Sequence, residues 1–204
     1  MIEPHAPPNH HAGHPGFAGV TGLFAALSMA LGRKGDARLA VRLSGLGSGD
    51  TVTDIGCGPG VAVRYAAKLG ATVIGVDPAP VMLRVARFLT RHPARVRYAE
   101  GVAEAIPLPD RSTSIVWSIA TVHHWHDIDA GLREAHRVLL PGGRLVAIER
   151  QTKPGSSGHA SHGWSEDQAN AFMDRCRQHG FADVRVERTT TGHRSTFSVV
   201  GSAV

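Results

Sequence analysis

Apolar positions along the chain fall into short runs whose period alternates. Runs over 51–55, 72–76, 96–99, 114–119 and 144–149 are four to six residues long and mostly apolar or β-branched, the pattern of strands buried on both faces. Between them, 61–69, 80–91 and 128–139 carry helical spacing, and Gly70 follows the first of these at the helix-ending position. The helix over 80–91 is expected to bury Val81, Val85 and Phe88 on one face. A further helix over 165–179 opens Ser165-Glu166-Asp167-Gln168, a capping-box pattern. Two β-rich runs follow, 182–188 and 195–201, expected to be antiparallel neighbours. Upstream, 17–31 reads as an apolar helix ended by Gly32, and Asp36 as the N-cap of a helix running to Leu43. The first 16 residues contain four Pro together with His5, His10, His11 and His14 and have no periodicity, which reads as a mobile arm.

Strands alternating with helices predict an α/β fold, a Rossmann-like doubly wound sheet, mostly parallel with an antiparallel C-terminal strand. The expected organisation is a flexible arm and lid helix over 1–35 and one α/β domain over 36–204. Ligands of such sheets sit at the carboxyl ends of the strands, so the loops after Ile55, Val76, Ala99 and Ile119 should line one site.

Composition narrows the function more than the fold. The 22 Lys and Arg residues give a net charge of +5, but they are scattered, with no block of five. Aromatic residues make up only 5%, so the interleaved basic and aromatic surface of a nucleic-acid binder is missing and nucleic acid is disfavoured as a partner. No stretch approaches the ~18 continuous apolar residues of a membrane span. Basic residues do not precede an early apolar run, and the chain is read as cytoplasmic. The cysteines, Cys57 and Cys176, have no metal-ligand spacing and are read as reduced thiols.

The strongest chemical signal is Val52-Thr-Asp-Ile-Gly-Cys-Gly-Pro-Gly60, a strand running into a glycine turn and then a helix. Gly56, Gly58 and Gly60 clear the backbone for close approach of a ligand, and the following helix offers free N–H groups. The spacing is G-x-G-x-G. The dinucleotide fingerprint needs a glycine at position 61, which is Val, and the Gly-Lys-Ser/Thr of a phosphate loop is absent. Asp77 ends the next strand, 17 residues past Gly60, where a carboxylate can accept both hydroxyls of a ribose or cap the helix that begins at Pro80.

With these residues in order, the chain resembles the class I methyltransferases that use S-adenosylmethionine (SAM), in particular the subgroup similar to the ubiquinone and menaquinone biosynthesis enzymes. The resemblance runs from about Gly49 to Ala147. It implies that Asp54, Gly56, Cys57, Gly58, Pro59 and Gly60 wrap the methionine part of SAM, and that Asp77 and Pro78 hold its ribose. The segment Gly101-Val-Ala-Glu-Ala-Ile-Pro-Leu-Pro-Asp110 looks like the family's G-D-A-E-x-L-P-F-x-D, which places Val102 and Ala103 beside adenine. Ser114 to Trp125 looks like the fourth strand and its exit, with Ser118 near the cofactor, and Arg137-Val-Leu-Leu-Pro-Gly-Gly-Arg144 like the R-V-L-K-P-G-G-x turn. Val102 departs from the family's Asp, so adenine should rest on the Ala103 N–H and apolar packing, with weaker SAM binding.

On the acceptor side, His123-His-Trp-His-Asp127 follows the fourth strand. His123 and His124 are the candidate catalytic residues, since imidazole titrates near neutrality and can deprotonate a hydroxyl or amine. The bland alternatives are that one of them bonds backbone, that Trp125 is core, and that Asp127 caps the next helix. No metal is assigned, because His123, His126 and Asp127 would converge only on a helical segment. The expected activity is methyl transfer from SAM, leaving S-adenosylhomocysteine (SAH), to a small-molecule acceptor. The resemblance also leaves room for a SAM-binding module without catalysis, which the Val102 departure keeps in play. The 151–164 loop, the arm and the 17–31 helix are the expected lid.

Overall fold

The structure, a computed structural model, describes residues 34–91, 93–153, 162–191 and 194–204. The expected lid helix over 17–31, the histidine-bearing arm and most of the 151–164 loop lie outside the described residues.

Elements alternate as the apolar runs require: α1 (Lys34–Ser44), β1 (Thr51–Ile55), α2 (Val61–Lys68), β2 (Thr72–Asp77), α3 (Pro80–Leu89), β3 (Val96–Glu100), β4 (Thr113–Ile119), α4 (Ile128–Val138), β5 (Leu139–Arg150), α5 (Glu166–Gln178), β6 (Phe181–Thr191) and β7 (Arg194–Ala203). They build a seven-stranded sheet ordered β3-β2-β1-β4-β5-β7-β6. The first five strands are parallel, and β7 runs antiparallel to both β5 and β6. The doubly wound sheet with an antiparallel C-terminal end is therefore the observed fold, extended by one more antiparallel strand than a single closing strand would give.

Burial on both faces explains the apolar runs. On β4, Ile115, Trp117 and Ile119 pack with Ala37 and Ala40 of α1 and Ala62, Val63 and Ala66 of α2. Val116 points to the other face, where Leu132 and Ala135 of α4 and Phe172 and Cys176 of α5 lie. The strand order reverses between β1 and β4, so the crevice at their carboxyl ends is the topological switch point.

Three local expectations need correction. Helix α3 buries Met82, Leu83 and Ala86, whereas Phe88 is 88% exposed. The large Phe suggests a core position, but the helix buries the face of Met82, Leu83 and the small Ala86, which packs close to Gly60. Helix α1 begins at Lys34, so Asp36 is not its N-cap but an acidic residue in its first turn, where the helix dipole favours it. Strand β5 starts at Leu139 and contains the Pro-Gly-Gly turn, because Leu139 pairs with Thr113 before the register shifts. The capping box of α5 forms as expected: Ser165 accepts from the Gln168 N–H, and the Gln168 side chain returns to the Ser165 N–H at 2.8 Å.

Candidate active site

The glycine turn is shaped by left-handed backbone. Gly56, Gly58 and Gly60 have φ of 69°, 52° and 75°, a region that costs other residues about 1–2 kcal/mol. Two of the three have a second reason to be glycine. A Cβ on Gly56 would lie 2.5 Å from the Thr121 side chain, and one on Gly60 would run into the Tyr98 hydroxyl. A Cβ on Gly58 would meet nothing within 4 Å, so this glycine faces open space. Asp54, Gly56, Cys57, Gly58, Pro59, Ala37 and Ile119 line the pocket at that point.

Asp77 ties the turn to the end of β2. Its Oδ2 accepts the Gly58 N–H at 2.8 Å and its Oδ1 the Ala79 N–H at 2.9 Å. It fixes the turn and the residue before α3, whose N-cap is Ala79 and not Asp77, and its two oxygens keep lone pairs for further donors. Only 7% of Asp77 is exposed, and burial pushes its carboxyl pKa above the ordinary range despite the two N–H groups. Pro78 is exposed beside it. Burial pushes the Cys57 thiol well up, and the Asp54 and Asp77 carboxylates add to this, so Cys57 stays protonated and is a turn residue, not a nucleophile.

The segment after β3 sits against this turn: the Gly101 N–H donates to the Asp77 carbonyl at 3.3 Å. Val102 is 37% exposed while Ala103 is buried, so the residue at the family's Asp position leaves an apolar side chain accessible. Glu104 binds the segments after β3 and β4 together by accepting the His126 N–H at 2.6 Å and the Asp127 N–H at 3.1 Å. Farther along, Arg137 donates to the carbonyls of Ile106 and Leu108, and Glu134 accepts the Ile106 N–H. The R-V-L motif thus holds the 101–110 loop by a fork of hydrogen bonds.

Ser118 is fully buried, and its hydroxyl lies 2.8 Å from that of Thr121, which itself donates to the Ile55 carbonyl. Ser118 and Thr121 thus link the ends of β1 and β4. Thr121, which sequence reasoning passed over, follows Ala120, a non-glycine residue at φ 55°. Strained backbone at the carboxyl end of β4 turns the chain sharply into the 3-10 turn Val122–His124.

That turn delivers the histidines. The Nδ1 of His123 lies 2.9 and 3.0 Å from the two oxygens of Glu149, which is fully buried at the end of β5. A buried carboxylate needs a partner, and this one fixes the ring so that Nε2 is left for chemistry. His124 is exposed beside it, with ring centroids 4.0 Å apart. Trp125 is 6% exposed and packs edge-on to Phe172, which makes it core, and Asp127 caps α4 by accepting the Ala130 N–H. His126 and Asp127 do not join His123. The residue that does is His162, from the far end of the 151–164 loop. Its separation in sequence hid it, and Glu149 read only as the end of an apolar run.

A glycine turn at the switch point, an acid closing the neighbouring strand, and a sheet ended by an antiparallel pair make a Rossmann-like α/β domain with a ligand crevice at the strand ends. Residues 53–147 match the family model described as a methyltransferase domain. The chain is similar to a demethylmenaquinone methyltransferase of Tropheryma whipplei, 34% identical over 112 residues that make 55% of this chain and 46% of that one. It is also similar to a malonyl-[acyl-carrier protein] O-methyltransferase of Serratia marcescens, 36% identical over 139 residues, 65% of this chain and 52% of that one. The chain thus spans about half the length of these curated relatives. Among solved structures, a SAM-dependent methyltransferase from Aquifex aeolicus superposes with a TM-score of 0.73 at 20% identity, covering 89% of this chain and 98% of that one, which shows the shared fold. Among the described residues no helix is long and apolar enough to cross a membrane.

Proposed function

We propose that the chain transfers the methyl group of SAM to a small-molecule acceptor. The observation that carries this is the Gly58 N–H held on Asp77, which leaves an open face at Gly58 beside a two-oxygen acceptor for ribose. Gly56, Cys57, Gly58, Pro59 and Gly60 would wrap the methionine end, with Asp54 at its amino group. Asp77 and Pro78 would hold the ribose, and Val102 and Ala103 would lie against adenine. The sulfonium methyl would then point to the end of β4, where His123 stands.

Positioning supplies most of the rate, because the sulfonium is already an electrophile. His123 Nε2 takes the proton of the acceptor as the new bond to carbon forms. SAM, when bound, would supply the methyl group and retain the bonding electrons on sulfur as the thioether of SAH. Glu149 stabilises the resulting imidazolium and holds the ring, and His124 borders the acceptor. The relatives named for demethylmenaquinone and for O-methylation of malonyl-[acyl-carrier protein] support quinol-like and carboxylate acceptors as the ones to try. The test is SAH production from SAM with quinol, phenol and carboxylic-acid acceptors, in the parent and in His123→Ala. Turnover with one of these acceptors, lowered roughly 100-fold or more in the variant, is the expected result. SAH binding without turnover on any acceptor would favour the non-catalytic SAM-binding module.

A further inference from the structure

The cluster of His123, His124 and His162 is more than an acceptor wall, and we propose that it is a binding site for one divalent metal ion of the zinc class. One ring nitrogen of each residue lies within 4.8 Å of the others. The ring centroids are 4.0, 5.1 and 5.6 Å apart. Three imidazoles bound to one zinc at 2.0–2.1 Å in a tetrahedron have nitrogens roughly 3.4 Å apart, so the cluster closes by about 1.4 Å at its widest. Side-chain rotation covers that distance, since His124 is exposed and the other two are half-buried.

Two features of the fold prepare the site. The first is Glu149, whose contact with His123 Nδ1 is the carboxylate–imidazole arrangement that orients a metal-binding histidine, leaving Nε2 as the ligand. The second is the placement of residues 162–164. The Trp164 N–H donates to the Arg150 carbonyl and the Thr152 N–H to the Trp164 carbonyl, each at 2.8 Å, which clamps the His162 segment beside the strand that carries Glu149. Gly163 makes this approach feasible: it is buried at φ 141°, and a Cβ there would overlap the Arg150 carbonyl. Three neutral imidazoles with a fourth position open toward solvent suit a borderline cation, not magnesium or calcium, which prefer oxygen.

An ion held there polarises an oxygen ligand at its fourth position. The inference deepens the methyltransferase reading at this one point: His123 Nε2 would serve as a ligand in place of a base, and an acceptor oxygen bound to the ion would lose its proton to solvent water. Metal binding itself does not depend on that reading.

The test uses the full chain with His5, His10, His11 and His14 changed to Gln, so that the arm cannot contribute ligands. Zinc and cobalt(II) are titrated calorimetrically into this parent and into His162→Ala, His124→Ala and Glu149→Gln. Melting temperature with and without zinc, and SAH binding, are measured on the same proteins. The parent should bind one equivalent and melt higher with zinc. Each histidine variant should lose about 100-fold in affinity and the zinc-dependent rise, and Glu149→Gln roughly 10- to 100-fold. Zinc bound equally by the parent and the histidine variants, or by none of them, overturns the site. SAH binding unchanged in that event would leave the cofactor reading intact, whereas SAH binding lost with zinc binding retained would overturn only the latter.

Discussion

Asp77 offers the sharpest perturbation. Its two oxygens hold the Gly58 and Ala79 N–H groups at 2.8 and 2.9 Å while facing the ribose position. Replacement by Ala removes two bonds from a charged acceptor to ribose hydroxyls, each worth about 1.5–3 kcal/mol, or about 3–6 kcal/mol together. At 1.4 kcal/mol per decade, SAM affinity should fall roughly 100- to 10,000-fold. The same change leaves two backbone donors without their acceptor, at about 1–3 kcal/mol each, so the variant should also melt lower, by about 2–4 °C per kcal/mol. Asp77→Asn keeps one acceptor oxygen and most of the shape, and should lose roughly 10- to 100-fold while staying folded. Calorimetric titration with SAM and SAH, paired with thermal melts, reads both effects. An Asn variant that is folded and binds SAM as tightly as the parent would refute the ribose assignment.

Further expectations concern neighbours of that residue. Because burial raises the Asp77 pKa above the ordinary 3.8, its proton is held more tightly in the folded chain than in the unfolded one. Its ionisation therefore subtracts stability as pH rises through the window between those two values, and SAM binding should fail on acidification at a higher pH than 3.8, a shift that Asp77→Asn abolishes in a binding-against-pH series. Cys57, buried and with a raised pKa, should resist a disulfide-exchange reagent in the native protein and react only in denaturant; fast native labelling that disappears in Cys57→Ser would contradict this. Gly60→Ala should destabilise by about 2–4 kcal/mol in urea unfolding, combining left-handed strain with the collision on Tyr98. Tyr98→Phe in the same chain should return part of that loss, and no recovery would mean that the strain acts alone.

Much of this was legible in the sequence because its signals are local. A Gly-x-Gly-x-Gly turn needs only its own φ angles and the strand before it. A capping box is satisfied within four residues, and Ser165 and Gln168 meet as their spacing requires. What escaped depends on partners distant along the chain. Phe88 looked like core because apolar side chains at 81, 85 and 88 share a helical face, but packing selected the face bearing Ala86, whose small size permits close approach. Glu149 and His162 carry no pattern of their own, and only the pairing of β5 with its neighbours and the clamp at Trp164 bring them to His123.

The position of β7 between β5 and β6 also governs how the domain is made. The ribosome delivers β5 and β6 before β7, so the outer edge of β5, apolar on both faces through Leu145, Val146, Ala147 and Ile148, waits with its ladder unfilled. Its native partners are 46 to 58 residues away, from Arg150 with Thr196 to Arg144 with Ser202. In that interval β6 is the nearest strand in hand, and pairing it directly to β5 would trap the nascent sheet in a wrong order. The tight connection between β6 and β7 resolves the competition, since a hairpin zips in microseconds and can dock as a unit with β7 leading. Vectorial synthesis thus makes the second half of the sheet the step most exposed to aggregation and to chaperone capture.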